Sequence, residues 1–126
     1  MQESILVTGA SSGIGRAIAV RLAKDGYAIA AHYSSSRDGA EQTREAIEAS
    51  SGACRLLQFD VRDADAARSA IEADMEAHGA YYGVVCNAGI TRDTAFPMMG
   101  EDDWKDVIDV NLNGLYNVLQ AVVMPM

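Results

Sequence analysis

The 126-residue sequence predicts an α/β protein: a doubly wound parallel sheet in three layers, helix on sheet on helix, forming one domain over residues 1–126. Three observations carry that expectation. Short apolar runs of strand length recur at residues 4–8, 27–33, 54–59 and 82–86. Segments with helical spacing fill the gaps, so the order reads βαβαβαβα. Strands separated by helices pair in parallel through right-handed crossovers.

Each element has its own signal. Ile5-Leu6-Val7 is the core of the first strand, and Ile14, Ile18 and Leu22 form an i, i+4 stripe on the first helix. That helix ends at Lys24-Asp25-Gly26, where glycine supplies a stop. After the second strand, Asp38 is the expected N-cap of a helix over 38–50. A third strand leads to a helix over 63–78, with Asp63 as N-cap and Ala67, Ile71 and Met75 turned inward. The fourth strand is followed by an ordered loop, GITRDTAFPMMG over 89–100, and then by one long helix over 101–126. On that last helix Trp104, Ile108, Leu112, Leu115, Leu119 and Val122 make one apolar stripe. Val107, Val110, Val118 and Val123 widen it past a single face, which predicts burial on two sides, the second against another subunit or protein. Cys54 and Cys86 have no metal-ligand spacing and read as reduced core residues.

Eighteen acidic against ten basic residues leave a formal charge of -8, which disfavours a nucleic-acid surface and an anionic membrane. No leader-like basic segment precedes an apolar one, and no apolar run approaches membrane-spanning length, so a soluble, cytoplasmic protein is expected.

The stretch TGASSGIGRA, residues 8–17, sets Gly9, Gly13 and Gly15 at the handover from strand to helix. Glycine lets another group come close to the backbone. Amides at the opening of a helix, together with its dipole, favour a phosphate there. The pattern T-G-x-x-x-G-I-G is neither G-x-G-x-x-G nor a triphosphate loop, since no Gly-Lys-Ser/Thr closes it. Ser11 and Ser12 add hydroxyls that either bond phosphate or cap the helix.

TGASSGIGRA resembles the cofactor loop of the short-chain dehydrogenase/reductase family, and three further motifs follow in that family's order: Asp60-Val61, the CNAG of residues 86–89, and Asn111 within VNLNG. The resemblance runs the length of the chain and implies the Rossmann arrangement with strand order 3-2-1-4-5-6. It implies that Gly9, Gly13 and Gly15 bring backbone against a dinucleotide, with the Ile14 amide near the pyrophosphate. Asp60 would accept from the adenine amino group with Val61 packed beside it, or else simply cap a strand end. Asn87, Ala88 and Gly89 would hold the sheet end and line the ribose, or else form an ordinary turn. Cys86 departs from the asparagine more usual in the family. Asn111 would help to position a water in a proton relay; the competing account is a helix kink, since Asn111, Asn113 and Gly114 together cost a helix roughly 2 kcal/mol relative to alanine.

Cofactor choice turns on residues 31–37, AHYSSSR, which hold no acid to repel a 2′-phosphate. Tyr33, Ser34 and Arg37 suit NADP (as NADPH), because a guanidinium grips phosphate oxygens in a fork. Arg37 reads alternatively as a solvated charge at a helix start.

The family's chemistry also needs a serine and a Tyr-x-x-x-Lys pair. The positions four beyond Tyr27, Tyr33, Tyr81, Tyr82 and Tyr116 are Ala31, Arg37, Val85, Cys86 and Gln120, none of them lysine. The expectation is therefore the N-terminal half of a reductase, truncated after the fourth strand and its helix, whose natural polypeptide continues and whose fourth strand lacks its fifth-strand neighbour. Within the family, NAGITRD and the helix D-x-W-x-x-V-I-x-V-N-L resemble the 3-oxoacyl-acyl-carrier-protein reductases. That resemblance implies an acyl-carrier-protein-linked substrate and a homo-oligomer, usually a tetramer, built on the final helix. The alternatives are another short-chain alcohol or sugar dehydrogenase and a non-catalytic dinucleotide-binding module. Arg92-Asp93 reads as a loop ion pair, and Met98-Met99 as gap fillers or an acyl entrance.

Overall fold

The computed structural model of the chain describes residues 2–89 and 100–126. The strands are β1 (Ser4–Val7), β2 (Ala28–Tyr33), β3 (Cys54–Gln58) and β4 (Gly83–Val85). The helices are α1 (Gly13–Lys24), α2 (Arg37–Ala49), α3 (Ala64–His78), α4 (Glu101–Ile108) and α5 (Gly114–Val122), with a π-helical turn at Asp109–Asn113 joining the last two. The four strands pair in the order β3-β2-β1-β4, all parallel. These are the first four of the six positions in the order expected for a doubly wound sheet.

Alternation along the strands builds a core on each face. Leu6, Ala30 and Leu57 point to one side, where they meet Ala67 and Ile71 of α3 and Val118 and Val122 of α5. Ile5, Val7, Ile29 and Ala31 point to the other and meet Ala19 of α1 and Ile47 of α2. With both faces covered, β1 is buried at every residue, which explains its unbroken apolar run. Burying Leu6 completely stabilises the fold by about 2 kcal/mol.

At the amino end of the sheet, a charged bracket ties α3 to β3. Arg55 donates from Nε and Nη2 to the two carboxylate oxygens of Asp74 at 2.7 and 2.8 Å, and Tyr81 donates its hydroxyl to the same carboxylate.

Several expectations are corrected. Ile14 is 72 % exposed, and α1 meets the sheet through Gly15 and Ala19, because only small residues fit where the helix start crosses the β1 exit. The N-cap of α2 is Ser36 and Asp38 lies in its first turn, where a carboxylate suits the helix dipole. Asp63 caps α3 as expected, accepting from the Ala66 amide at 3.0 Å. Cys54 is half-buried and its thiol pushed up to about 11 by burial, whereas Cys86, just past β4, is exposed; both are free. The long final helix is two helices around a wide turn. Its inner side is buried through Val118 and Val122, and its outer side, with Trp104, Leu112, Leu115 and Tyr116, is exposed. The expected loop over 89–100, with Arg92, Asp93, Met98 and Met99, falls almost wholly outside the described residues. Among the described residues, no helix is long and apolar enough to cross a membrane.

Candidate functional site

The carboxyl ends of the strands converge on the β1–α1 loop, which is fastened from three sides. From β4, the Thr8 hydroxyl accepts from the amides of Asn87 and Ala88 at 2.9 and 3.0 Å, and Asn87 Nδ2 donates to the Gly9 carbonyl at 3.2 Å. From α2, Thr43 donates its hydroxyl to the Ala10 carbonyl at 2.7 Å, while Arg16 of α1 ties the two together, its guanidinium reaching the carbonyls of Ser11 and Gly39 and the Thr43 hydroxyl. From β2, the Gly9 amide donates to His32 Nδ1 at 3.1 Å and the Ala10 amide to the His32 carbonyl at 2.9 Å.

The glycines answer to this crowding. Gly9 and Gly13 adopt φ of +66° and +58°, the left-handed region where a side chain is strained. Gly15 is dictated by space: a Cβ there would lie 2.0 Å from the Gly9 carbonyl oxygen and 2.6 Å from Asn87 Nδ2.

The result is a helix start offered to an anion. Ser12, the N-cap of α1, is extended and makes no side-chain capping bond, and the first turn holds no acidic residue. Those uncapped amides and the positive end of the dipole are the groups that bind phosphate elsewhere.

Beside the loop lies a cleft of 300 Å³. Eight of the expected residues line it: Gly9, Ser11, Tyr33, Ser34, Asp60, Val61, Ala88 and Gly89. Ser12, Gly13, Ile14, Gly15 and Asn87 build the loop and helix start beside it rather than its wall. Arg37 stands outside the lining; it donates to the Tyr33 hydroxyl at 3.0 Å and pairs with Glu41 at 3.2 Å. Two wider depressions lie elsewhere: one runs along α1 from Gly13 to Asp25, and one sits at the amino end of the sheet.

Asp60 sits at the far end of the cleft in a fork with Arg62. Arg62 Nε and Nη2 approach its two oxygens at 3.1 and 2.9 Å, and the Arg62 amide donates to it at 2.9 Å. These bonds hold the Asp60 carboxyl below the usual carboxylate range. A carboxylate has about four acceptor positions, so it retains capacity for a further donor. Arg62 also approaches Asp106 of α4 at 3.6 Å.

Asn111 lies in the π turn and lines a separate small cavity of 70 Å³ with Thr8, Val61, Cys86 and Ala88. A Cβ on Gly89 would come within 2.8 Å of Asn111 Oδ1, so the glycine is what lets that amide reach the β4 exit.

Sequence reasoning missed Thr8, Arg16, His32 and Arg62. The available signal was His32, a polar residue inside the apolar run of β2, where it is 2 % exposed. Thr8 and Arg16 act through backbone atoms of other segments and Arg62 through the Asp60 carboxylate, and no residue pattern announces such contacts.

A cofactor fits these residues: open helix amides, a cleft at the strand ends, and an ionised acceptor at its far end. A family model described as short chain dehydrogenase matches residues 3–126. Over all 126 residues the chain is 51% identical to the 3-oxoacyl-[acyl-carrier-protein] reductase FabG of Aggregatibacter actinomycetemcomitans, covering 52% of that protein. A Serratia marcescens short-chain dehydrogenase/reductase, solved as a double mutant, superposes with a TM-score of 0.92 at 30% identity over 98% of this chain and 51% of its own. An actinorhodin polyketide ketoreductase solved with NADPH superposes with a TM-score of 0.90 at 30% identity over 97% of this chain and 46% of its own. The chain thus spans about half the length of the curated relatives it matches. Matched by that family model along nearly its whole length, the chain belongs to the short chain dehydrogenase family of oxidoreductases.

Proposed function

We propose that this chain binds NADPH and serves the reduction of a 3-oxoacyl group on acyl-carrier protein to the 3-hydroxyacyl product, in fatty-acid or polyketide/polyene-type biosynthesis. The observation that carries the reading is the 51% identity, without a break in coverage of this chain, to a 3-oxoacyl-[acyl-carrier-protein] reductase. The geometry supports its cofactor half. Open amides of α1 would receive the pyrophosphate, with Gly9, Gly13 and Gly15 admitting it and Ser11 and Ser12 adding hydroxyls. Asp60 would take the adenine amino group, Val61 would pack beside the ring, and Asn87, Ala88 and Gly89 would border the ribose.

NADP rather than NAD is favoured by Ser34 and by Arg37, whose guanidinium the Tyr33 hydroxyl steadies close to the end of β2. Bound there, the nicotinamide cofactor supplies a hydride; the residues of this chain bind and orient. Asn111, held at the β4 exit, is assigned to a water in the proton relay. The exposed apolar side of α4 and α5 is assigned to a homo-oligomer contact, dimeric or tetrameric, and the protein to the cytoplasm.

The test offers the protein a 3-oxoacyl thioester of acyl-carrier protein, and in parallel free alcohols and sugars, with NADPH and NADH. Thioester-dependent oxidation of NADPH is expected of the polypeptide that supplies the serine and the Tyr-x-x-x-Lys pair these 126 residues lack, and NADPH binding alone of these residues by themselves. Turnover of alcohols alone would reassign it within the family. Binding of NADPH without turnover by that polypeptide would favour a dinucleotide-binding module, the reading suggested by the lack of a Tyr-x-x-x-Lys in these 126 residues.

A further inference from the structure

Gly9 is the hinge of the loop. Its carbonyl is held by Asn87 and its amide by a buried imidazole, and both Gly9 and His32 face the cleft. The chemistry of the partners fixes the state of that imidazole. Nε2 lies 2.7 Å from the Phe59 carbonyl, which can only accept, so Nε2 carries a proton. Nδ1 receives the Gly9 N–H at 3.1 Å, so it must offer a lone pair. His32 is therefore the neutral Nε2–H tautomer, bridging the β1–α1 loop to the exit of β3.

We infer that neutral His32 is a positioning residue for the dinucleotide: it latches the Gly9 peptide in the orientation that leaves the helix amides open, and its protonation releases that latch. The inference rests on the dinucleotide reading above. Proton gain at Nδ1 would set one N–H against another across 3.1 Å, and the Gly9 amide would have to turn away. Because Gly9 holds φ +66° and has so little room beside Ala88 that a Cβ on it would fall 3.0 Å from Ala88 Cα, that turn disturbs the cleft wall as well as the loop.

The surroundings keep the ring neutral. From the loop, Gly9 and Ala10 present backbone; from the β3 exit, Phe59 presents its ring, tilted at 4.1 Å, and Asp60 its carboxylate. Asp60 favours the protonated ring, but its charge is already engaged by Arg62, and burial holds His32 below the usual imidazole range.

The test uses the purified protein and the substitution His32→Asn, whose amide oxygen stands where Nδ1 stands but gains no proton. Without nucleotide, the ring nitrogens should report the Nε2–H tautomer, and the Gly9 amide resonance should titrate with the ring, with a midpoint below about pH 6.5. NADPH and NADH are then titrated from about pH 8 to about pH 5. Relative to His32→Asn at each pH, the wild type should lose affinity about fivefold on acidification, the worth of one net hydrogen bond. That ratio cancels titration of the 2′-phosphate itself. A Gly9 amide that ignores His32, or wild type and variant weakening in parallel, overturns the inference. Failure of both nucleotides to bind at any pH, with Gly9 still following the ring, overturns the dinucleotide reading instead and leaves only the loop contact standing. Should His32→Asn not fold, the resonances and the nucleotide affinities of the wild type, followed across the same pH range, decide alone: the two midpoints must coincide.

Discussion

Replacing Gly15 by alanine sets two effects against each other. Inside a helix the change should gain up to about 1 kcal/mol, since alanine loses less backbone entropy. The new Cβ, however, would stand 2.0 Å from the Gly9 oxygen, 2.6 Å from Asn87 Nδ2 and 2.8 Å from the Gly9 carbonyl carbon. Ordinary contact needs at least about 3.4 Å, so the start of α1 must retreat by more than about 1 Å. Neither obstacle is free to yield. The Gly9 peptide is fixed by His32 and Asn87, and Asn87 is fixed by Thr8. Retreat would break the Asn87–Gly9 bond and strain the Arg16 contacts to Ser11, adding about 1 kcal/mol per lost bond to an overpacking cost of about 1–3 kcal/mol. The net is a loss of about 2–4 kcal/mol, or roughly 6–15 °C in melting temperature for a chain of this size. Gly13→Ala is the matched control. It meets no atom within 4 Å but sits at φ +58°, so only the left-handed penalty of about 1–2 kcal/mol applies. Thermal and urea unfolding of the two variants beside wild type measure the difference. If Gly15→Ala melts at or above wild type, or if Gly13→Ala is the more damaging, the tight loop described above is wrong.

Arg55→Ala leaves Asp74 with an 8% exposed side chain and no cation, and is expected to cost about 3 kcal/mol in urea unfolding, whereas a surface pair such as Arg68–Asp65 should be nearly silent. Arg37→Ala should weaken NADPH about tenfold and NADH hardly at all, measured by fluorescence titration, because it removes one charge-assisted grip on the 2′-phosphate. For pH and stability, His32 and Asp60 both have depressed pKa values in the fold, so each contributes stability that is present above its unfolded pKa and lost on acidification. Chemical unfolding should therefore show a first decline as pH drops below about 6.5, absent in His32→Asn, and a second below about 4 that is reduced in Asp60→Asn. Leu112→Glu, on the exposed side of the π turn, should shift sedimentation toward smaller species with little change in the secondary-structure signal.

The fold was legible because its signals are local and repeated. Strand-length apolar runs alternate with segments of helical spacing, so order and parallel pairing follow from spacing alone, and the glycine loop marks the strand end where the cleft lies. What stayed hidden was decided by neighbours distant in sequence. Ile14 has the spacing of a core residue, yet the small Gly15 and Ala19 occupy the sheet side of α1, because the helix start crosses the β1 exit too closely for anything larger. Asp38 has the composition of a cap, but the loop holds Gly39 against the Ser11 carbonyl and moves the helix start to Arg37, with Ser36 before it. His32 looked like a polar interruption of a strand; only the approach of Gly9 and Phe59 from two other segments gives its nitrogens their work.

The wide turn at Asp109–Asn113 shows how such a distortion alters a sequence pattern's meaning. A π turn carries one residue more than the regular repeat, so the helix after it is rotated by about 100° relative to an unbroken continuation. Trp104, Leu112 and Leu119 share a stripe on paper, but the phase slips between them: Trp104 and Leu112 stay exposed while Leu119 packs against the core. The same slip seats Gly114 against Val61, where a Cβ would fall 2.6 Å from Val61 Cγ2, and lets Asn117 donate to the Val61 carbonyl at 2.8 Å. Val61 also borders the cleft beside Asp60, and one turn earlier Asn111 meets Gly89. The residues least suited to a helix interior are thus the ones that dock it onto the exits of β3 and β4. Their cost to the helix, about 2 kcal/mol by intrinsic preference, is offset by contacts that a regular helix of better formers could not make.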